Sequence, residues 1–244
     1  MFICYNIKNQ INIMTITINA QFHSGGFSNQ EERDNFYYQY NYAKNAIEGL
    51  IKEQPLLNFL NTRNITIGLQ PLKEAQRQYE TTGRYMIADE RLKDEFIIVK
   101  FKINPENLML SETFLKTCFS HEAFHSFIEF KHLLKNQVNN DIKIEDKDYL
   151  KCIEYFCDEF AAKVCGRSES TRLLSIKKLS GDNPNHPSWQ NRVNAVKSSV
   201  FSDLVDSIIE TANKKELEEK HFNSWKFFID NKESIKKTIT ELEK

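Results

Sequence analysis

His121, Glu122 and His125 lie in the stretch HEAFH, which sets two imidazoles four residues apart with a carboxylate beside the first. In a helix, residues four apart share a face one turn apart, so both rings reach a single divalent cation. The chemistry that this pattern serves is metal-assisted hydrolysis of a peptide bond. Zn²⁺ acidifies a water and polarises the scissile carbonyl, and Glu122 acts as the general base that takes the proton and passes it to the leaving amine. One Zn²⁺ per chain is expected. The plain alternative is a surface helix with two polar histidines. Against it stand Phe114, Leu115, Cys118, Phe119, Phe124, Phe127 and Ile128, which make the segment apolar round much of its circumference, as in a buried helix. Histidines and a glutamate inside such a helix need partners.

A catalytic zinc takes three protein ligands and keeps one position open. The continuation HSFIEFKH has Ile128 and Lys131 where a metzincin needs Gly and His, which excludes that class. His132 falls two turns beyond His125, about 10 Å along the helix axis, too far to share the ion. The next helical stretch, CIEYFCDEFAAKVCG, offers Glu154 and Asp158 one turn apart, beside an apolar stripe of Leu150, Ile153, Cys157, Phe160, Ala161 and Val164. Glu154 is the expected third ligand. Asp158 is expected to accept a hydrogen bond from the non-metal nitrogen of His121 or His125, which fixes the tautomer. An isolated E-x-x-x-D would usually face water; its place downstream of H-E-x-x-H favours the ligand reading. Asp141, Glu145 and Glu159 are weaker candidates.

The elements that position these groups follow from periodicity. Alternation at Ile16, Ile18, Ala20 and Phe22 reads as a strand, broken by Ser24–Gly26. A helix is expected from about Glu31 to Glu53, with Phe36, Tyr40, Ala43, Ile47 and Leu50 on one face. Asn64–Leu69, Arg84–Ala88 and Glu95–Ile103 read as strands, the last two joined through the polar DERLKD stretch, with Glu95–Ile103 at the sheet edge near the cleft, where an extended substrate would pair. After Pro105 the pattern turns helical: about Ser111–Lys135 with Ser111 as N-cap, then from Asp146 or Asp148 to a stop at Gly166, then Ser170–Leu179 and Trp189–Ser198. Strands followed by helices predict an α+β fold, with a small mixed sheet packed on the active-site helix and a mostly helical C-terminal half. The expected division is a domain over 1–200, sheet-rich to 105 and helical from 106, and a Lys/Glu-rich helical extension over 201–244, for which solvated faces are the favoured reading and a packing cap or a partner surface the alternatives.

Bulk properties bound the function. The 244 residues are 27% charged and 40% apolar, a globular composition, and the net charge of −1 offers no general attraction to nucleic acid or anionic lipid. Five cysteines, an odd count without C-x-x-C, point to free thiols in a reducing compartment, hence a cytoplasmic expectation. No basic n-region with an apolar h-region opens the chain, no run of about eighteen apolar residues occurs, and Met14 is an alternative start.

With these pieces in order, HEAFH, EYFCDEFAA and HPSWQNRV, the stretch from about Glu95 to Val196 resembles the HtpX-like and CAAX prenyl protease group of gluzincin metallopeptidases. The matching positions are His121, Glu122 and His125; Glu154 and Asp158; and His186, Pro187, Arg192 and Val193. The resemblance implies a zincin-like fold of minimal, soluble form and endopeptidase activity on protein or peptide substrates. It also implies that His186 or Arg192 stabilises the oxyanion, or that His186 caps the metal at rest. The chain departs from the pattern in lacking an evident Asn-Ala segment and in carrying Cys157 where Ala is usual. EYFCDEFAA also resembles the ImmA/IrrE-like peptidases that cleave repressors, whereas HPSWQNRV favours the first group. A non-catalytic zinc module that binds a partner is the rival from another class; Glu122 speaks against it, because a structural site needs no base and closes with four protein ligands.

Overall fold

The structure, a computed structural model, describes residues 29–57, 64–69, 86–93, 96–103, 111–128, 147–177, 186–218 and 224–244. Eight helices are described: α1 (Gln30–Glu53), α2 (Glu112–Ile128), α3 (Lys147–Cys165), α4 (Arg167–Lys177), α5 (Trp189–Ser198), α6 (Ser202–Glu218), α7 (Ser224–Asp230) and α8 (Lys232–Leu242).

The expected α+β, zincin-like architecture is corrected here. The body whose side chains are described is all-α, and none of its buried residues comes from a strand. The physical reason lies in α2 and α3. Both are apolar on more than one face, and the described buried side chains that pack on them come from other helices and the turns beside them. The segments Asn64–Leu69, Met86–Lys93 and Phe96–Ile103 are extended and described as backbone alone, with Phe96–Ile103 between the other two, parallel to the first and antiparallel to the second. Phe96–Ile103 is therefore paired on both sides, which corrects its expected place at an edge. Most of the DERLKD stretch is extended rather than a connection. The strand expected at 16–22 and the continuation of the HEAFH helix past 128 lie outside the described residues.

Helix α1 begins at Asn29, whose side chain accepts from the Glu32 N–H at 2.8 Å, and buries Tyr40, Ala43, Ala46, Ile47, Leu50 and Ile51. Ser111 starts α2 as expected, its Oγ accepting from the Phe114 N–H at 3.3 Å. Phe114, Leu115, Cys118, Phe119, Ala123, Phe124 and Ile128 of α2 are all buried. The interior hydroxyls Thr117 and Ser120 donate back to the carbonyls of Thr113 and Lys116, at 2.8 and 2.9 Å, so none is stranded. Helix α3 is buried without interruption from Cys152 to Ala162. Leu150, expected in its stripe, is exposed, and Tyr149, Cys152 and Phe156 are buried with the rest. A stacked pair, Phe124 on Phe160 with ring centroids 4.3 Å apart, locks α2 against α3. Gly166, at φ +96°, ends α3 in the left-handed conformation that glycine adopts without strain.

Phe201, Val205, Ile208, Phe228, Ile235 and Ile239 from α6 to α8 and the residue before α6 belong to the same core as α2 and α3. Tyr149 meets Phe228, and Tyr155 and Phe156 meet Phe201, so the C-terminal helices pack on α3. Among the described residues, no helix is long and apolar enough to cross a membrane.

Helix α5 starts at Ser188, whose Oγ accepts from the Asn191 N–H at 3.2 Å. Ser188→Ala is expected to cost about 1 kcal/mol, a fall in Tm of roughly 2–4 °C, readable by thermal melting. An unchanged Tm would show the cap to be dispensable.

Candidate metal centre

Helices α2 and α3 bring the paired histidines to Glu154. His121 and His125 stand on successive turns of α2 with their Nε2 atoms 3.0 Å apart. Glu154 reaches across from α3, with Oε1 3.4 Å from His125 Nε2 and Oε2 3.7 Å from His121 Nε2. These three residues offer one donor atom each within 4.8 Å of one another, and no other such group of three occurs among the described residues. The sequence expectation that Glu154 converges on the two imidazoles is met in this geometry.

Asp158, one turn beyond Glu154, lies behind His121. The His121 Nδ1–H donates to Asp158 Oδ1 at 3.0 Å. Burial lowers the His121 pKa, and the Asp158 hydrogen bond, which works the other way, does not restore it. The ring is therefore neutral at neutral pH, with its proton on Nδ1 and its Nε2 lone pair turned toward His125 and Glu154. Burial raises the Glu154 carboxyl, but the Arg192 guanidinium and then His125 and His186 more than offset this, leaving it well below the ordinary range. Glu154 is ionised.

Helix α5 and the residues before it close the other side. Arg192 is buried, with 2% of its side chain exposed. Its Nε and Nη2 donate to Asp158 Oδ2 and Oδ1 at 2.6 and 2.7 Å, and its Nη1 lies 3.1 Å from Glu154 Oε2. The Trp189 ring covers one face of the guanidinium at 4.5 Å. His186 sets Nδ1 3.0 Å from Glu154 Oε1, close enough for an ion pair but not aligned for a hydrogen bond, so that atom is buried without a hydrogen-bond partner. Glu122 is half-buried on α2 and, among the described residues, makes no ion pair or hydrogen bond. Glu159, a weaker candidate ligand, is instead paired with Arg167, which also donates to the Val196 carbonyl at 2.7 Å. Asp141 and Glu145 lie outside the described residues.

The donor set fits a divalent cation. Glu154 and Asp158 bring two carboxylates to the centre against the single guanidinium of Arg192. Two imidazole nitrogens facing each other beside a carboxylate suit Zn²⁺ or a neighbouring first-row ion. The bridging by Arg192 was missed at sequence level. The Trp189–Arg192 spacing on one face of a helix was the available signal, but it carries no information about which carboxylates the guanidinium meets.

Comparison of the chain with protein-family models, with curated proteins and with solved structures returned no match in any of the three.

Proposed function

We propose that the chain is a zinc-dependent endopeptidase, with His121, His125 and Glu154 as metal ligands. The observation that carries this reading is the convergence of three donor atoms from two helices onto one buried point. A divalent ion held there supplies Lewis acidity, polarising a substrate carbonyl and acidifying water. Glu122, next to ligand His121 and free of competing partners among the described residues, takes the proton of the attacking water and returns it to the leaving amine. Asp158 holds His121 in the tautomer that a ligand needs. His186, with 37% of its side chain exposed beside Glu154, is the proposed donor to the carbonyl oxygen as it gains charge.

Purified protein is expected to contain one zinc per chain by metal analysis and to cleave denatured casein. A chelator should abolish cleavage and added Zn²⁺ restore it. Cleavage that persists in chelator would rule out the zinc mechanism; bound zinc without cleavage of casein or an unfolded-peptide library would turn the reading to a binding module.

Metal also bears on stability. Zn²⁺ at a hundred times its Kd is expected to stabilise the fold by about 2.7 kcal/mol, raising Tm by roughly 5–11 °C over the chelated protein. No shift on Zn²⁺ addition would count against a preformed site.

A further inference from the structure

Arg192 has no role in the proposed mechanism, although its guanidinium is the most buried cation of the centre. It meets three carboxylate oxygens at once, two on Asp158 and one on Glu154. Both partners act on ligands. Glu154 is itself a ligand, and Asp158 Oδ1 receives both Arg192 Nη2 at 2.7 Å and His121 Nδ1 at 3.0 Å. Resting on the metal reading above, we infer that Arg192 is a positioning residue: by bridging Glu154 and Asp158 it aims two of the three donors, the Glu154 carboxylate and the His121 ring, before any cation binds.

Its surroundings exclude a direct part in the reaction. With 2% of the side chain exposed and one face under Trp189, no substrate oxygen reaches the guanidinium. The oxyanion role that the resemblance implied for Arg192 is replaced by this one. The residue type matters. A guanidinium has five N–H donors in a rigid plane and spans two carboxylates in a set geometry, whereas a lysine ammonium is a point charge on a flexible stem.

Electrostatics makes the inference decidable by sign. A positive charge 3.1 Å from a ligand oxygen repels an incoming cation. If Arg192 only balanced charge, removing it would strengthen metal binding. If it positions ligands, removing it weakens binding, because outer partners of metal ligands typically contribute about 10–100-fold to affinity.

The test uses the full chain as wild type, Arg192→Met and Arg192→Lys. Zn²⁺ and Co²⁺ affinities are measured against a competing chelator, with the Co²⁺ absorption spectrum, at a temperature where circular dichroism shows each protein folded. Arg192→Met is expected to bind about 10–100-fold more weakly and to shift the Co²⁺ spectrum, with Arg192→Lys in between. Equal or tighter binding with an unchanged spectrum overturns the inference while leaving the metal site standing. If Arg192→Met does not fold, Arg192→Lys decides, since it keeps the charge and loses the fork; wild-type affinity in that variant overturns the inference. A wild type that binds neither ion overturns the metal reading and this inference with it.

Discussion

Glu122→Gln is expected to lower turnover of a peptide substrate by about 10²- to 10⁴-fold while one zinc per chain remains bound. The separation of the two effects is the point. Glu122 stands outside the set of His121, His125 and Glu154 that can share an ion. It is half-buried, and among the described residues it takes no part in the Arg192 network. Glutamine preserves size and polarity but has no basic oxygen, so proton transfer is lost and ligand geometry is kept. Turnover on casein and metal content by elemental analysis are measured on the same preparation. Undiminished turnover would place the base elsewhere, and loss of zinc with turnover would show that Glu122 supports the ligands rather than the proton.

The second large effect is on stability. Asp158→Ala removes two of the three carboxylate oxygens that hold a buried guanidinium and leaves it only Glu154 Oε2 at 3.1 Å, for which the expected cost is about 3–5 kcal/mol. For a chain of this size that is a fall in Tm of roughly 6–20 °C. Urea unfolding and thermal melting both read it, and a cost under about 1 kcal/mol would mean that the pair is solvated in solution. The acid limb checks the same pair. Burial raises the Asp158 carboxyl, but the Arg192 charge, with hydrogen bonds from Arg192 and His121, brings it down from 3.8 to about 2. A folded-state value below the unfolded one gives stability that is fully present above the unfolded value and is lost as pH falls through the folded one. The gap between wild type and Asp158→Ala should therefore narrow as pH falls from about 4 toward 2. A gap that stays constant over that range would place its origin in packing rather than ionisation.

The same network explains why three acidic residues within the buried run Cys152–Ala162 are tolerated. Each carboxylate has a basic partner: Glu154 the imidazoles and Arg192, Asp158 His121 and Arg192, Glu159 Arg167. Burying them singly would cost several kcal/mol each. What a solvated helix face would leave to water is here closed internally, which keeps the ligand carboxylate from turning away from the histidines.

Local spacing was enough for some of this. The four-residue interval of His121 and His125, the turn between Glu154 and Asp158, the cap at Ser111 and the stop at Gly166 are short-range features, set by helix geometry and backbone sterics within a few residues. The helix over Trp189–Ser198 was legible to the residue, and that over Ser170–Leu179 starts three residues earlier, at Arg167. The extended segment at Phe96–Ile103 was also legible, but its place between two neighbours was not, because period-two alternation says nothing about which strands pair. The all-α character of the described body was not legible either. Apolar faces on α1, α6 and α8 show that these helices need cover, but not that α2 and α3 provide it. What only the tertiary structure decided is which charges meet. Glu154 and Arg192 are 38 positions apart in the chain, and their contact depends on how α5 crosses α3, a result of packing many side chains at once that no short window of sequence encodes.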